Sequence, residues 1–233
     1  MNAELEKYLL ENDKQIDITY PEQFDPKWVV MESGWPCFKL SALDNQPWKE
    51  MHKEAEALAD KFYPHRETTY GKGWKSLTLH GLNDDTQSLG GYGDRDETIK
   101  QLDWTWVADE CPITKKFLTD VWPAEFLNRV RFMLLEPGGY ILPHQDRADE
   151  EKRLSVCNIS LNNPENCKFI FKDHGIVPFE DSGSAFLMDI SNVHAVYNDS
   201  DKPRIHMIIH YELGRRIRDF FYVLRQSYYT NQG

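Results

Sequence analysis

From Arg129 onward the chain is written in short apolar–polar alternations, each stopped by turn residues, and that rhythm restricts the fold more than any other feature. The segments are Val130–Glu136, Arg153–Leu161, Lys168–Lys172, Ile176–Phe179, Ala185–Asp189, Ala195–Tyr197 and Arg204–Leu213. Between them stand Pro137-Gly138-Gly139, Asn162-Asn163-Pro164, Asp173-His174-Gly175, Asp181-Ser182-Gly183 and Asp199-Ser200-Asp201. These residue types supply a positive or preset φ where a chain must turn. A period of two sends alternate side chains to opposite faces, so each strand has one face to bury. Strands of this number and spacing close into a sandwich or barrel of the jelly-roll kind. The expected fold class is mainly β with flanking helices.

The preceding part is mixed α/β. Residues 1–34 read as a short polar helix and an extended stretch punctuated by Pro21 and Pro26. Pro36–Leu40 alternates like a strand. Asp44-Asn45-Gln46-Pro47 then opens a helix over Trp48–Phe62, with Met51, Ala55, Leu58, Ala59 and Phe62 at helical spacing and Pro64 as the stop. Trp74–His80 is a second strand between glycines. Residues 83–98 are polar and glycine-rich without a period, a surface loop or a lid over a pocket. Their glycines do not lie between a strand and a helix, so no phosphate-binding turn is expected there. Helices are expected over Pro112–Val121 and Gly214–Tyr228. The whole, 1–233, reads as one domain: 1–125 support a β core in 126–213 that carries the candidate site, and 214–233 add a C-terminal helix.

A formal net charge of −11 repels phosphate backbones and anionic lipid, so neither nucleic acid nor a membrane is an expected partner. The run Arg215-Arg216-Ile217-Arg218 reads as the solvated face of the last helix. The stretch Met1–Lys7 has no signal-peptide character, and no apolar run approaches the roughly 20 residues that span a bilayer. Cys37, Cys111, Cys157 and Cys167 are scattered without a CxxC pair, which suggests neither a zinc knuckle nor a disulfide framework. The expected location is cytoplasmic.

Chemistry gathers in two stretches of the β-rich half. Pro143-His144-Gln145-Asp146 follows the first strand, and Asn192 to Asn198, containing His194, leads to Arg204 ten residues beyond that histidine. His144 and Asp146 are two apart and share a face in an extended chain. Two imidazoles and one carboxylate on one side of a metal leave the opposite positions open, the arrangement of non-haem Fe(II) oxygenases. A guanidinium close behind can hold an anionic co-substrate such as 2-oxoglutarate through a bidentate pair. An isolated strand histidine is more often hydrogen-bonded structure than ligand. It is the four residues together that carry the metal reading. If Arg204 points inward, His206 and Ile208 share its face while Ile205, Met207 and Ile209 pack outward. His206 then lines the co-substrate pocket or is a satisfied structural histidine. His52, His65, His80, His174 and His210 have no partner at ligand spacing.

From about Arg129 to Leu213 the sequence resembles the aspartyl/asparaginyl β-hydroxylase-like Fe(II)/2-oxoglutarate dioxygenases, a group that includes bacterial proline hydroxylases. The matching stretches are Arg129-Val130-Arg131 with Glu136-Pro137-Gly138-Gly139, Pro143-His144-Gln145-Asp146, Ser184–Asp189 and His194–Asn198, then Arg204. The resemblance implies a double-stranded β-helix (jelly-roll, cupin-like) core, iron on His144, Asp146 and His194, and Arg204 on the distal carboxylate of 2-oxoglutarate. Some members lack the acidic ligand, here present as Asp146. Relatives often carry Arg-x-His on the strand after the first ligand. Here the stretch is Arg153-Leu154-Ser155, which makes Arg153 a further candidate for a carboxylate contact, of substrate or co-substrate, equally readable as a surface arginine, with Ser155 and Asn158 weaker candidates.

The implied reaction consumes O2 and 2-oxoglutarate, hydroxylates a C–H bond of an amino acid, free or within a polypeptide, and releases succinate and CO2. The rival is a non-catalytic cupin-like protein binding a small anion or a protein partner. Other cupin enzymes usually use three histidines or an added Glu, and no third histidine falls at suitable spacing. Trp74, Trp104 and Trp106 either pack the core or wall the pocket.

Overall fold

The computed structural model describes residues 3–66, 71–86, 100–146 and 153–233. The alternating segments become strands: β1 (Cys37–Lys39), β2 (Tyr63–Pro64), β3 (Gly71–Gly81), β4 (Asp103–Trp104), β5 (Phe126–His144), β6 (Val156–Asn162), β7 (Cys167–Phe171), β8 (Gly175–Ile176), β9 (Ser184–Met188), β10 (His194–Asn198) and β11 (Arg204–Glu212). They join antiparallel in the order β1-β9-β6-β11-β5-β10-β7-β8, with β3 on the other edge of β5 and β2 and β4 beside β3. The sheet curls into a jelly-roll half-barrel. The helices are α1 (Ala3–Glu11), α2 (Trp48–Ala57), α3 (Trp106–Glu110), α4 (Pro112–Lys116) and α5 (Ile217–Asn231).

β5 holds the two halves of the barrel together. Pro137-Gly138-Gly139, expected to be a turn, lies inside the strand instead. Before it β5 pairs with β11 from Glu212↔Phe126 to Arg204↔Leu135, and after it with β10 through Tyr197↔Tyr140 and Val196↔Ile141. Gly138 has φ +68°, a left-handed conformation that glycine adopts at no steric cost. At Gly139 a Cβ would lie 2.7 Å from the Glu136 carbonyl oxygen and 2.9 Å from that of Lys72. Turn chemistry here bends a strand from its pairing with β11 to its pairing with β10 rather than reversing it.

Other boundaries move less. Arg153–Ser155 lie before β6 rather than in it, and of the expected strand at 176–179 only Ile176 is in β8, together with Gly175 before it. The helix expected to Phe62 ends as α2 at Ala57 with a 3-10 turn at Ala59–Lys61. α4 continues into a π-helical turn, Phe117–Val121, and another such turn, Trp28–Glu32, interrupts the stretch expected to be extended. The glycine-rich segment Gly90–Gly93 lies outside the described residues.

The alternation sorts side chains into two faces as expected from β11. Ile205, Met207 and Ile209 join Val130, Phe132, Leu134, Leu77 and Leu79 under the helices, with Met51 of α2 and Leu224 and Tyr228 of α5. Full burial of each large apolar side chain there contributes roughly 1.5–3 kcal/mol. Ile208 instead faces the barrel with Leu135, Ile141, Phe169, Phe171, Phe186, Met188 and Val196. Of the three tryptophans weighed as pocket walls, Trp74 packs on this inner cluster, Trp104 on the outer one, and Trp106 is exposed. The four cysteines are free and buried. Among the described residues no helix is long and apolar enough to cross a membrane.

Candidate metal centre and co-substrate pocket

His144 ends β5 and His194 begins β10, and the two are paired directly across the ladder. Residues facing each other on antiparallel strands project to the same side, which is how histidines fifty positions apart come together, their ring centroids 4.4 Å apart. Asp146 is placed by its N–H, which donates to the Ile190 carbonyl at 3.0 Å. Its Oδ1 lies 3.7 Å from His144 Nε2. One ligand atom from each of His144, Asp146 and His194 falls within 4.8 Å of the others.

The donor set fits a metal ion. His144 Nδ1 donates to the Leu142 carbonyl at 2.8 Å and His194 Nδ1 to the Asn192 carbonyl at 2.9 Å. With Nδ1 protonated and pinned, each ring keeps its Nε2 lone pair for a ligand, the arrangement found behind metal-bound histidines. Phe169 stacks on the His194 ring at 5.3 Å and Phe171 meets it edge-on at 5.8 Å. Burial first, and then His144, push His194 down to about 4, so it is neutral at ordinary pH, as a ligand must be.

Deeper in the barrel, Arg204 is 4% exposed and His206 fully buried. Arg204 Nη2 lies 2.7 Å from His206 Nδ1. A guanidinium only donates, so Nδ1 accepts and the proton of His206 sits on Nε2. Asn158 also faces Nδ1 at 2.8 Å, and the amide orientation consistent with that acceptor presents its NH2. Burial, then Arg204, hold His206 far below its usual range, and burial pushes Arg204 down to about 10, still cationic. His206 Nε2 and Arg204 Nε are buried with no hydrogen-bond partner among the described residues. Two unpaired donors inside a barrel call for an acceptor. A carboxylate supplies it, so this end of the cavity fits the far end of 2-oxoglutarate. Phe179 closes over His206 at 4.6 Å.

Arg153 and Ser155 lie on the segment before β6, not on β11 with Arg204 and His206. Arg153 is exposed, and its charge acts on Tyr211, which packs against Trp122 and Phe220 on the outer side. Ser155 uses its N–H on the Met188 carbonyl at 3.2 Å. His210 approaches Arg129 at 3.3 Å away from the centre. Asn158, a weaker candidate in the sequence, faces His206 Nδ1 at 2.8 Å. The inward phase of β6, read from Val156, would have flagged it.

A family model described as aspartyl/asparaginyl beta-hydroxylase matches residues 45–212. Similar solved structures include a Pseudomonas putida prolyl-4-hydroxylase, 14% identical over 74% of this chain and 96% of that one with a TM-score of 0.41. A viral collagen prolyl hydroxylase from Paramecium Bursaria Chlorella virus-1, a 2OG complex, is 12% identical over 76% and 96% at 0.41. A 2OG-Fe(II) oxygenase family oxidoreductase from Burkholderia pseudomallei is 11% identical over 86% and 95% at 0.40. No curated protein matches. The jelly-roll with its His-Asp-His centre defines an oxidoreductase of the Fe(II)/2-oxoglutarate class. The match spans most of the chain, and the chain belongs to the aspartyl/asparaginyl β-hydroxylase family.

Proposed function

We propose that this protein hydroxylates a C–H bond of an amino acid, free or within a polypeptide, using Fe(II) and 2-oxoglutarate and releasing succinate and CO2. The observation that carries the reading is the pairing of His194 with His144 across two strands, both rings pinned through Nδ1 and Asp146 at 3.7 Å. In this reading His144, Asp146 and His194 hold the iron. Arg204 takes the far carboxylate of 2-oxoglutarate and His206 donates its Nε2–H to the same group. Bound iron and 2-oxoglutarate supply the oxidation, in which dioxygen is consumed as 2-oxoglutarate becomes succinate and CO2 and one oxygen atom enters the substrate.

The chain's own part is to bind, aim and keep the cavity dry. The Leu142 and Asn192 carbonyls keep both imidazoles turned to the ion. Asn158 and His206 fix the tautomer and with it the direction of the Arg204 fork. Phe169, Phe171, Phe179, Phe186 and Val196 line the interior with apolar surface, which strengthens the carboxylate–guanidinium pair by excluding water. Asp146, whose side chain is 44% exposed, marks the side from which substrate enters.

Anaerobic titration with Fe(II) and 2-oxoglutarate tests the reading. Wild type is expected to give the visible charge-transfer band of the iron chelate, and His144→Ala to lose it. A succinate-release screen across amino acids and peptides, with mass spectrometry for a gain of one oxygen, then identifies the product. Full turnover of 2-oxoglutarate in both His144→Ala and Asp146→Ala would refute it.

A further inference from the structure

The first helix stands directly behind the candidate metal centre. Leu5 and Tyr8 of α1 and Asn12 just past its end follow at spacings of three and four, which puts them on one face, and all three are buried. Leu5 and Tyr8 pack on Ile170 of β7 and Ala195 of β10. Ile170 and Ala195 pair across the ladder. They alternate with Phe169, Phe171, His194 and Val196, whose side chains face the barrel interior. So α1 covers the outer face of the two strands whose inner face carries His194.

Tyr8 ties this helix to the backbone of the ligand strand. Its hydroxyl lies 3.1 Å from the Val193 carbonyl and 3.2 Å from the Ile170 carbonyl, and shares its one proton between them. Burial, then Asp173, hold the phenol well above its usual range, so it stays a donor. Val193 separates His194 from Asn192, whose carbonyl takes the His194 Nδ1–H. The Val193 carbonyl also accepts the Lys172 N–H at 2.8 Å, and Tyr8 supplies its second bond. The chain after α1 is tied to the same sheet. The Asn12 amide donates to the Tyr8 carbonyl at 2.8 Å and accepts the Asp173 N–H at 2.7 Å. The Ile176 N–H donates to the Lys14 carbonyl at 2.7 Å.

This support falls where the ladder is irregular. Between the pairs His194↔His144 and Val196↔Ile141, Leu142 and Pro143 stand against Ala195 alone. The bulge turns His144 to the interior although Leu142, two residues earlier, packs outward on the α1 cluster. It is the Leu142 carbonyl that takes the His144 Nδ1–H. Both carbonyls that aim the imidazoles thus belong to, or adjoin, residues braced by α1.

We propose that Tyr8 is a positioning residue of the metal centre, and that the docked arm of residues 3–16 sets the direction of the His194 and His144 imidazoles by holding Val193 and Leu142 from behind. This rests on the metal-centre reading given above. A ligand set must be held to within about half an ångström, so a small shift of either carbonyl reaches the ion.

The test uses the full chain with Co(II), a visibly absorbing substitute for Fe(II), and then with Fe(II) and 2-oxoglutarate without oxygen. Tyr8→Phe removes the hydroxyl and keeps the ring. Tyr228→Phe is the control, since it removes another phenol bond to a backbone carbonyl, that of Pro21, in the outer cluster. Both variants should unfold at slightly lower urea. Only Tyr8→Phe should weaken Co(II) binding, by about three- to tenfold, below the about 10–100-fold for losing a direct partner of a metal-bound histidine. Only Tyr8→Phe should also move the Co(II) ligand-field bands and the iron chelate band, which a loss of stability alone would leave in place. Leu5→Ala loosens the arm without touching the phenol and should weaken Co(II) binding as well; if Tyr8→Phe does not fold, Leu5→Ala decides by the same readings. Wild-type affinity and bands in Tyr8→Phe, or equal losses of affinity in Tyr8→Phe and Tyr228→Phe, would overturn the proposal and leave the metal centre standing. A wild type that binds neither Co(II) nor Fe(II) takes the metal-centre reading down with it.

Discussion

At the scale of single residues, Arg204 and His206 act as one unit, because the 2.7 Å contact between them decides which imidazole nitrogen carries the proton. Removing the guanidinium should therefore do more than remove a charge. Arg204→Ala is expected to weaken 2-oxoglutarate binding by about 2–5 kcal/mol, the cost of truncating a buried hydrogen-bonded charge pair. Fe(II) binding without co-substrate should change little. Separate calorimetric titrations of the two ligands check this, and unchanged 2-oxoglutarate affinity would show that Arg204 is not the grip. His144, Asp146, His194 and Arg204 stood out in the sequence because their spacing is local or repeats a known order. His65 did not, since Arg131 is 66 residues away and it takes the β2–β3 and β3–β5 pairings together to bring them close.

At the scale of elements, β5 carries the lesson. Pro-Gly-Gly reads as a turn because the same backbone freedom serves a reversal and a bend, and only the neighbours β3, β10 and β11 distinguish the two. The adjacent glycines are not equivalent. Gly138 has open space around a would-be Cβ and a φ of +68°, so Gly138→Ala should cost about 1–2 kcal/mol, the left-handed penalty. Gly139→Ala drives a methyl against two carbonyl oxygens and the Leu135 side chain. It should cost more, about 1–3 kcal/mol for the crowding plus a displaced His144, and so weaken iron binding as well. Urea unfolding and iron titration of both variants decide it: a Gly138→Ala that is the worse of the two on both measures contradicts this account of the bend.

On the scale of the whole molecule, burial of neutral histidines ties stability to pH. His65 is held at about 2 and His206 far below its ordinary value, burial being the first cause for each. The unfolded chain takes up protons on both near pH 6.5 while the folded chain does not. Their contribution is thus fully present above that pH and is lost as pH falls below it. Between pH 7 and pH 5 the His65 share should cost about 2 kcal/mol, read as a falling urea midpoint, with His206 acting in the same direction. His65→Gln should remove its share of the slope, and equal slopes in variant and wild type would contradict the neutral, buried state. The jelly-roll was legible from alternation alone, since a period of two with frequent turns admits few closures. Strand order was not: β1 joins the sheet through Cys37↔Met188, a pairing that no local pattern announces. β5 pairs with β11 along its first part and with β10 along its last. The strand works as a measuring rod: one residue inserted between Arg131 and His144 would turn every later side chain of the strand inside out, that of His144 included. Length polymorphism between related chains should therefore collect in the loops outside that rod, however freely its individual letters drift.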